Sequence, residues 1–126
     1  MANECIPLYQ PGKHLTATVA TAVTGKTFVD ISGATLNPAT GALISVATAT
    51  AAGKTLGVAA FDAAAGAQVS VIGEGVVPVT AGAAITAGVE VEVGASGKAI
   101  TLASGKAVGR ALTTAANNAD VYVRLY

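Results

Sequence analysis

The chain has 126 residues, a formal net charge of zero, no tryptophan and one cysteine, and only 11% of its residues are charged. This length predicts a single domain, and the seven Lys and Arg residues are too scattered to form the basic surface that nucleic-acid binding requires. The single cysteine excludes an internal disulfide and a thiolate metal site, and no apolar run approaches the roughly 20 residues that cross a bilayer.

The first 14 residues show no sustained hydrophobic period. They include Pro7 and Pro11, each of which lacks a backbone donor and has a fixed φ, so this segment suits a central strand poorly. We therefore predict an extended N-terminal arm over residues 1–14 and one β domain over residues 15–126. Because the arm carries an acid and has no apolar stretch, it does not resemble a secretory signal, and synthesis in the cytoplasm is expected.

The rest of the chain is predicted to form short strands. Residues 15–23 alternate Thr with Ala and Val, and residues 89–93 read VEVEV, which is the period-two pattern of a strand. The predicted strands are 15–23, 27–31, 42–47, 55–60, 68–72, 76–79, 89–93, 99–103, 107–112 and 120–125. Turn signals such as Thr24-Gly25-Lys26 recur about every 8–12 residues, so we predict an all-β fold, a compact barrel or sandwich.

The abundance of alanine makes helix the main competing interpretation, since alanine is the best helix former. The candidate segments are 59–67 and 111–119. Neither has an apolar stripe at 3.6-residue spacing, and helices this short are marginal in water. One short helical turn in each segment is compatible with the sequence, and a helical domain is excluded.

A 20-residue segment occurs twice, at 53–72 and at 105–124. Nine positions match without a gap, among them Gly53 with Gly105, Lys54 with Lys106, and the V-x-V strand near each end. Four of the nine pairs are alanine in an alanine-rich chain, so the glycine, lysine and valine pairs carry more weight. The repeat predicts a fold built from two related strand-loop-strand units.

The sequence offers little for catalysis, and we predict no enzyme, cofactor or metal site. His14 is the sole histidine and is expected to be solvated beside Lys13. Glu90 and Glu92 lie two apart on one strand and so share a face, which is expected to be a solvated face with valines opposite. The segment Gly73-Glu74-Gly75 lacks the Lys-Ser/Thr signature and the following helix of a phosphate-binding loop.

Three stretches of the chain resemble small capsid proteins of tailed phages that infect actinobacteria. They are NECIPLYQPGKHLTATVATAVTGKTFVDISG, GKTLGVAAFDAAAGAQVSVIGEGVVPVTAG and ASGKAVGRALTTAANNADVYVRLY. The first carries the E-C-I-P-x-x-x-P-G start and the V-T-G-K-x-F-V-x-I-S-G hairpin of that family. The G-V-A, A-A-A-G-x-x-V-x-V and terminal V-x-V-x-L elements resemble a wider group of phage head-decoration proteins.

The resemblance implies a capsid decoration (cement) protein on the outer surface of the phage head. Its implied partners are the major capsid protein and two further copies of itself, as a homotrimer on threefold or quasi-threefold axes. One alternative is a tail-tube or fibre-associated structural module of the same phage. A ligand-binding β-domain is a weaker alternative, because such sites usually present aromatic platforms and this chain has three Tyr and no Trp.

The arm supplies the candidate contact residues for the capsid or for a neighbouring subunit. These residues are Ile6, Leu8, Tyr9, Pro11 and His14. Tyr9 is the best single anchor because it combines a large apolar ring with a hydroxyl donor, and a stiff proline-containing segment loses less entropy on docking than a glycine-rich one. The alternative is an arm packed against its own domain as an edge strand or plug.

Overall fold

Ten β-strands form the fold of the described part of the chain. A computed structural model describes residues 3–5, 8, 12–36, 43–51 and 53–126. The strands are β1 His14–Val19, β2 Phe28–Ile31, β3 Ile44–Thr48, β4 Thr55–Ala59, β5 Gln68–Ile72, β6 Gly75–Thr80, β7 Glu90–Val93, β8 Ala99–Thr101, β9 Gly109–Ala111 and β10 Asp120–Leu125. A short 3-10 turn lies at Ala95–Gly97. The predicted all-β class is confirmed.

Every predicted strand coincides with an observed one, and those at 68–72 and 120–125 have the predicted bounds. The largest difference is in β1, which was expected to continue to residue 23 and ends at Val19. The chain leaves the ladder over residues 20–22, and Val23 rejoins the sheet through an isolated bridge to Ala63. The strand also begins at His14, the predicted last residue of the arm, one residue earlier than the predicted strand start.

The first five strands close into a barrel, and the last five form a second sheet. The barrel order is β1-β3-β2-β4-β5, and the order of the second sheet is β6-β10-β9-β7-β8. Strands β1 and β3 run parallel, while the other paired strands of both sheets run antiparallel. We call residues 14–72 the first half and residues 75–125 the second half.

The two halves repeat one arrangement of strand pairs. The register of the first half reappears in the second when 62 is added to residue numbers in β1 and β2 and 52 to those in β4 and β5. The matching pairs are Thr18–Gln68 with Thr80–Asp120, Phe28–Val58 with Glu90–Arg110, and Ala59–Val71 with Ala111–Val123. The repeated segments 53–72 and 105–124 therefore occupy equivalent positions, and the equivalence extends to the strands that precede them.

The halves differ where the barrel closes. In the first half β1 and β3 pair over three residues, whereas the second half has a single bridge there, between Ala81 and Ala99. The N–H of Thr80 is instead satisfied by the carbonyl of Lys26 at 2.8 Å. A Cβ at Gly97 would lie 2.5 Å from the carbonyl oxygen of Phe28, so glycine is needed for this approach of the first half to the second.

Phe28 links the two hydrophobic clusters of the molecule. Its strand neighbour Val29 lies in the cluster that fills the first barrel. Since successive side chains of a strand point to opposite faces, Phe28 points out of that barrel and packs in the cluster of the second half. It is 1% exposed. Val58 from β4 joins the same cluster, and Ile72 from β5 packs against it.

We predict that Phe28→Ala destabilises the protein by about 3–5 kcal/mol, because it removes a buried ring from the contact between the halves. The matched control is Phe61→Ala, since Phe61 is 51% exposed and its loss should change stability by no more than about 0.5 kcal/mol. Urea unfolding of both variants measures the difference. Equal midpoints for the two variants would contradict the role assigned to Phe28.

Candidate functional site

Because the two halves share one backbone arrangement, equivalent surface positions can be compared directly. On the first half, adjacent strands place Phe28, Val58 and Ile72 in one row across the outer face, and the second half covers this row. The equivalent row on the second half is Glu90, Arg110 and Arg124. A face that is apolar and covered in one half is thus charged in the other, with both arginines exposed.

The next row of outward-facing residues is polar or small in the first half and apolar in the second half. The first half has Thr16, Ser70 and Ala60 there, and the second half has Pro78, Tyr122 and Leu112. Tyr122 is paired with Pro78, and its carbonyl accepts the N–H of Leu112 at 2.8 Å. We call Val76, Pro78, Leu112 and Tyr122 the Tyr122 face.

The Tyr122 face is an exposed apolar surface on a rigid support. Val76 is 52% exposed, Tyr122 48% and Leu112 47%. The backbone N–H of Tyr122 donates to the hydroxyl of Thr113 at 3.1 Å, which fixes the strand beneath the ring. Clustered exposed apolar groups with a polar rim mark interaction surfaces, and three of these four residues are exposed, with Pro78 partly buried between them.

A cleft of about 540 Å³ separates the halves on another side of the molecule. Equivalent positions line its two walls. The equivalent lining pairs are Ile31 with Val93, Lys54 with Lys106, Thr55 with Ala107, Leu56 with Val108, and Gly73 with Leu125. Both Gly-Lys turns of the sequence repeat therefore meet here, and their lysines are exposed above an apolar floor that includes Phe28. We call this feature the inter-half cleft.

The expectation that Glu90 and Glu92 form a solvated face was wrong for Glu92. Its side chain is 6% exposed and accepts the backbone N–H of Gly105, the first residue of the second Gly-Lys turn. At the equivalent position Asp30 accepts the N–H of Thr50 at 3.1 Å. Each acid thus accepts a hydrogen bond from a backbone N–H near a Gly-Lys turn. This hydrogen bond offsets the cost of burying the Glu92 carboxylate in β7.

Two contacts that involve charged side chains lie elsewhere on the surface of the second half and at its junction with the first. The hydroxyl of Tyr126 donates to the carboxylate of Glu90 at 2.9 Å. This hydrogen bond is the largest cause of a raised pKa for Tyr126. The ammonium of Lys26 lies 2.9 Å from the carboxylate of Asp120, and that hydrogen bond raises the pKa of Lys26. Both partners are about half exposed, so the pair contributes little to stability.

The predicted contact residues of the arm fall partly within the described residues. Leu8 is 58% exposed, and His14 is the exposed first residue of β1, opposite Ile72. Ile6, Tyr9 and Pro11 lie outside the described residues. The carbonyl of Lys13 accepts the N–H of Gly73 at 2.9 Å, and Gly73 lines the inter-half cleft. The arm therefore joins the barrel at the edge of that cleft.

The described residues present surfaces for binding. They contain no group of three or more His, Cys, Asp or Glu side chains placed to hold a metal ion. Every buried side-chain nitrogen or oxygen among them has a hydrogen-bond partner. No helix in this part of the chain has the length and apolar character needed to cross a bilayer.

Comparison with known families identifies the class. The family described as phage cement protein matches residues 9–125, and the chain belongs to this family. It is therefore a structural virion protein that decorates the capsid.

Among solved structures, the N base of the head fiber protein gp8.5 of bacteriophage phi29 is similar. It shares 20% sequence identity, the match covers 90% of this chain and 92% of that one, and the TM-score is 0.72. At this identity the likeness shows a shared fold. No curated protein matches the sequence.

We predict that Glu90→Gln lowers the pKa of Tyr126 toward its ordinary value of about 10, because the variant removes the carboxylate that stabilises the protonated phenol. In the native protein this contact should persist below the ordinary tyrosine pKa and be lost as the pH rises through the raised one. Tyrosinate absorbance during an alkaline titration measures the shift. Glu74→Gln, at an exposed acid in the β5–β6 turn, is the control, and an unchanged titration in Glu90→Gln would contradict the assignment.

Proposed function

We propose that this protein is a cement protein of the outer capsid surface, bound to the major capsid protein and synthesised in the cytoplasm of an actinobacterial host. The observation that carries the proposal is the match of the cement family to residues 9–125. The sequence resemblance to capsid proteins of actinobacterial phages supports the host, the partner and the outer location. The protein acts by binding and not by catalysis, a role that needs exposed surfaces on a rigid scaffold.

The Tyr122 face is the proposed contact with the shell. The comparison between the halves supports this, because the apolar outer row of the first half is covered by another β unit and the apolar row of the second half is uncovered. Tyr122 offers a large ring and a hydroxyl, and such residues carry much of the binding energy at protein interfaces. Arg124 lies beside it, opposite Val76 in the ladder, and supplies a charged rim.

The protein is proposed to assemble as a homotrimer on threefold or quasi-threefold axes of the shell. Three copies around such an axis would present three identical Tyr122 faces to three equivalent sites. The arm residues Ile6, Leu8, Tyr9, Pro11 and His14 are proposed to contact the shell or a neighbouring copy. In this proposal residues 1–14 act as an arm on a single β domain of residues 15–126.

A second candidate is the base of a head fibre. It is favoured by the fold similarity to the N base of the phi29 head fiber protein. Both candidates place the protein on the head, and image reconstruction of virions separates them. A cement protein appears as low density bound to the shell, whereas a fibre base continues into a projecting fibre. Signal on the tail would contradict both candidates and favour a tail-associated module.

We predict that decorated heads withstand higher temperature and lower ionic strength than undecorated heads. A ligand that binds only the assembled shell stabilises it by mass action, by about 2.7 kcal/mol when its free concentration is 100 times Kd. Heads prepared with and without the protein can be compared by light scattering and DNA release during heating. Adding the purified protein back should restore the higher transition, and identical transitions in the two preparations would contradict a stabilising role.

We predict that Tyr122→Ser weakens binding to heads roughly 30-fold, the effect of losing a 2 kcal/mol anchor. Serine is the residue at the equivalent position of the first half, Ser70, so the fold should accept it. Phe61→Ser removes another exposed aromatic outside the Tyr122 face and should bind normally. Co-sedimentation with undecorated heads measures both affinities. Equal losses in the two variants would argue against the Tyr122 face.

A further inference from the structure

The root of the N-terminal arm lies beside the inter-half cleft. The N–H of Gly73, a lining residue of the cleft, donates to the carbonyl of Lys13 at 2.9 Å. This bond ties the last arm residues to the cleft edge. Each copy in an assembly thus carries an arm that starts where a cleft opens.

The cleft and the arm are complementary in chemistry. The cleft has an apolar lining that includes Leu56, Val108 and Leu125. Its volume of about 540 Å³ lies in the range of pockets that bury a small ligand, roughly 300–1,000 Å³. The arm offers Ile6, Leu8 and Tyr9 within four positions, and Leu8 is 58% exposed in the single chain. An apolar segment of this kind gains from entering an apolar cleft.

The charges agree with this pairing. Lys54 and Lys106 stand exposed at the two walls of the cleft, and neither forms an ion pair with a described residue. Residues 2–11 of the arm have one acid, Glu4, and no base, while Lys13 and His14 lie at the root of the arm. An arm that enters with its apolar residues on the floor would bring negative charge to a rim with two positive charges, one from each half.

The length of the arm determines how far from its root it can bind. Eleven residues span at most about 36 Å, which is comparable to the diameter of a 126-residue domain, on the order of 36 Å from its expected radius of gyration. A segment of this length can reach an adjacent copy.

We propose that the inter-half cleft is the receptor for the N-terminal arm of a neighbouring copy, with Ile6, Leu8 and Tyr9 buried between the two Gly-Lys turns. The inference rests on the proposed assembly of several copies on the shell. It makes each copy both donor and acceptor of an arm, so that occupancy of one site strengthens occupancy of the next.

The native Cys5 provides the test, because it is the sole cysteine and is exposed. Lys54→Cys places a second thiol at the cleft rim, and Lys98→Cys places one outside the cleft, where Lys98 donates to Asn118 at 2.9 Å. Both variants are oxidised mildly, on decorated heads and as concentrated free protein, and analysed on non-reducing gels. We expect disulfide-linked multimers at several-fold higher yield from Lys54→Cys, and their loss when Cys5→Ser is added.

Equal multimer yields from the two variants would overturn the proposal. So would loss of free thiols without multimers, which would mean that each arm occupies its own cleft. Tyr9→Ser combined with Leu8→Ser, in the Lys54→Cys background, should reduce the multimer yield to that of the control without unfolding the domain, as checked by circular dichroism. Head binding is scored separately by co-sedimentation. Cross-linking without head binding would refute the proposed function alone, and head binding without cross-linking would refute the arm exchange alone.

Discussion

The side chain of Phe28 points outward from the first barrel and is buried in the hydrophobic cluster of the second half. The two halves therefore share one hydrophobic core through this residue. The ring packs in the core cluster of the second half, whose sheet has only the single bridge Ala81–Ala99 where the first barrel has a three-residue ladder. Two backbone contacts lie at the same junction between the halves. They are the close approach of Gly97 to the Phe28 carbonyl and the hydrogen bond from the Thr80 N–H to the Lys26 carbonyl. A chain with two Phe residues and no Trp thus places one of them at its central contact. Because that contact also orients the walls of the inter-half cleft, the candidate surfaces depend on it as well.

Strand positions could be predicted from the sequence because alternation and turn residues are local signals. The duplication was visible only in part, since residues 53–72 and 105–124 keep the Gly-Lys turn and the V-x-V strand. In the preceding strands the shared requirement is a backbone conformation and not a residue type. A positive φ is needed at the turn position that is Lys26 in the first half and Gly88 in the second. Inside the repeated segments the same holds for Gly66 and Asn118. Different residues adopt the same backbone conformation at these turn positions, so sequence identity between the two copies is lost at them.

The candidate site was harder to predict, because it depends on what covers each face. Alternation in β7 suggested one solvated side, yet Val91, Glu92 and Val93 are all buried. The Tyr122 face joins β6 to the consecutive strands β9 and β10, from which β6 is separated by two other strands, and its residues become neighbours only through the register of the sheet. Alternation in β10 predicts only that Tyr122 points outward. Its role as an exposed apolar residue stands out once it is compared with Ser70, the polar residue at the equivalent position of the first half. The comparison between halves supplies the information that a single strand lacks.

The charged row of Glu90, Arg110 and Arg124 makes the outer face of the second half unlike the apolar face through which the first half contacts it. The first half is joined to the second through unlike surfaces, since the partners of Lys26 and Phe28 are Thr80 and Gly97 and not their own equivalents. A contact between unlike surfaces does not close on itself, and repeating it would add barrels without limit, as in a filament. Glu90 stands where Phe28 would be needed for the next addition. Because burying these charges against another unit would cost free energy, the charged row disfavours the addition of a further copy through this contact.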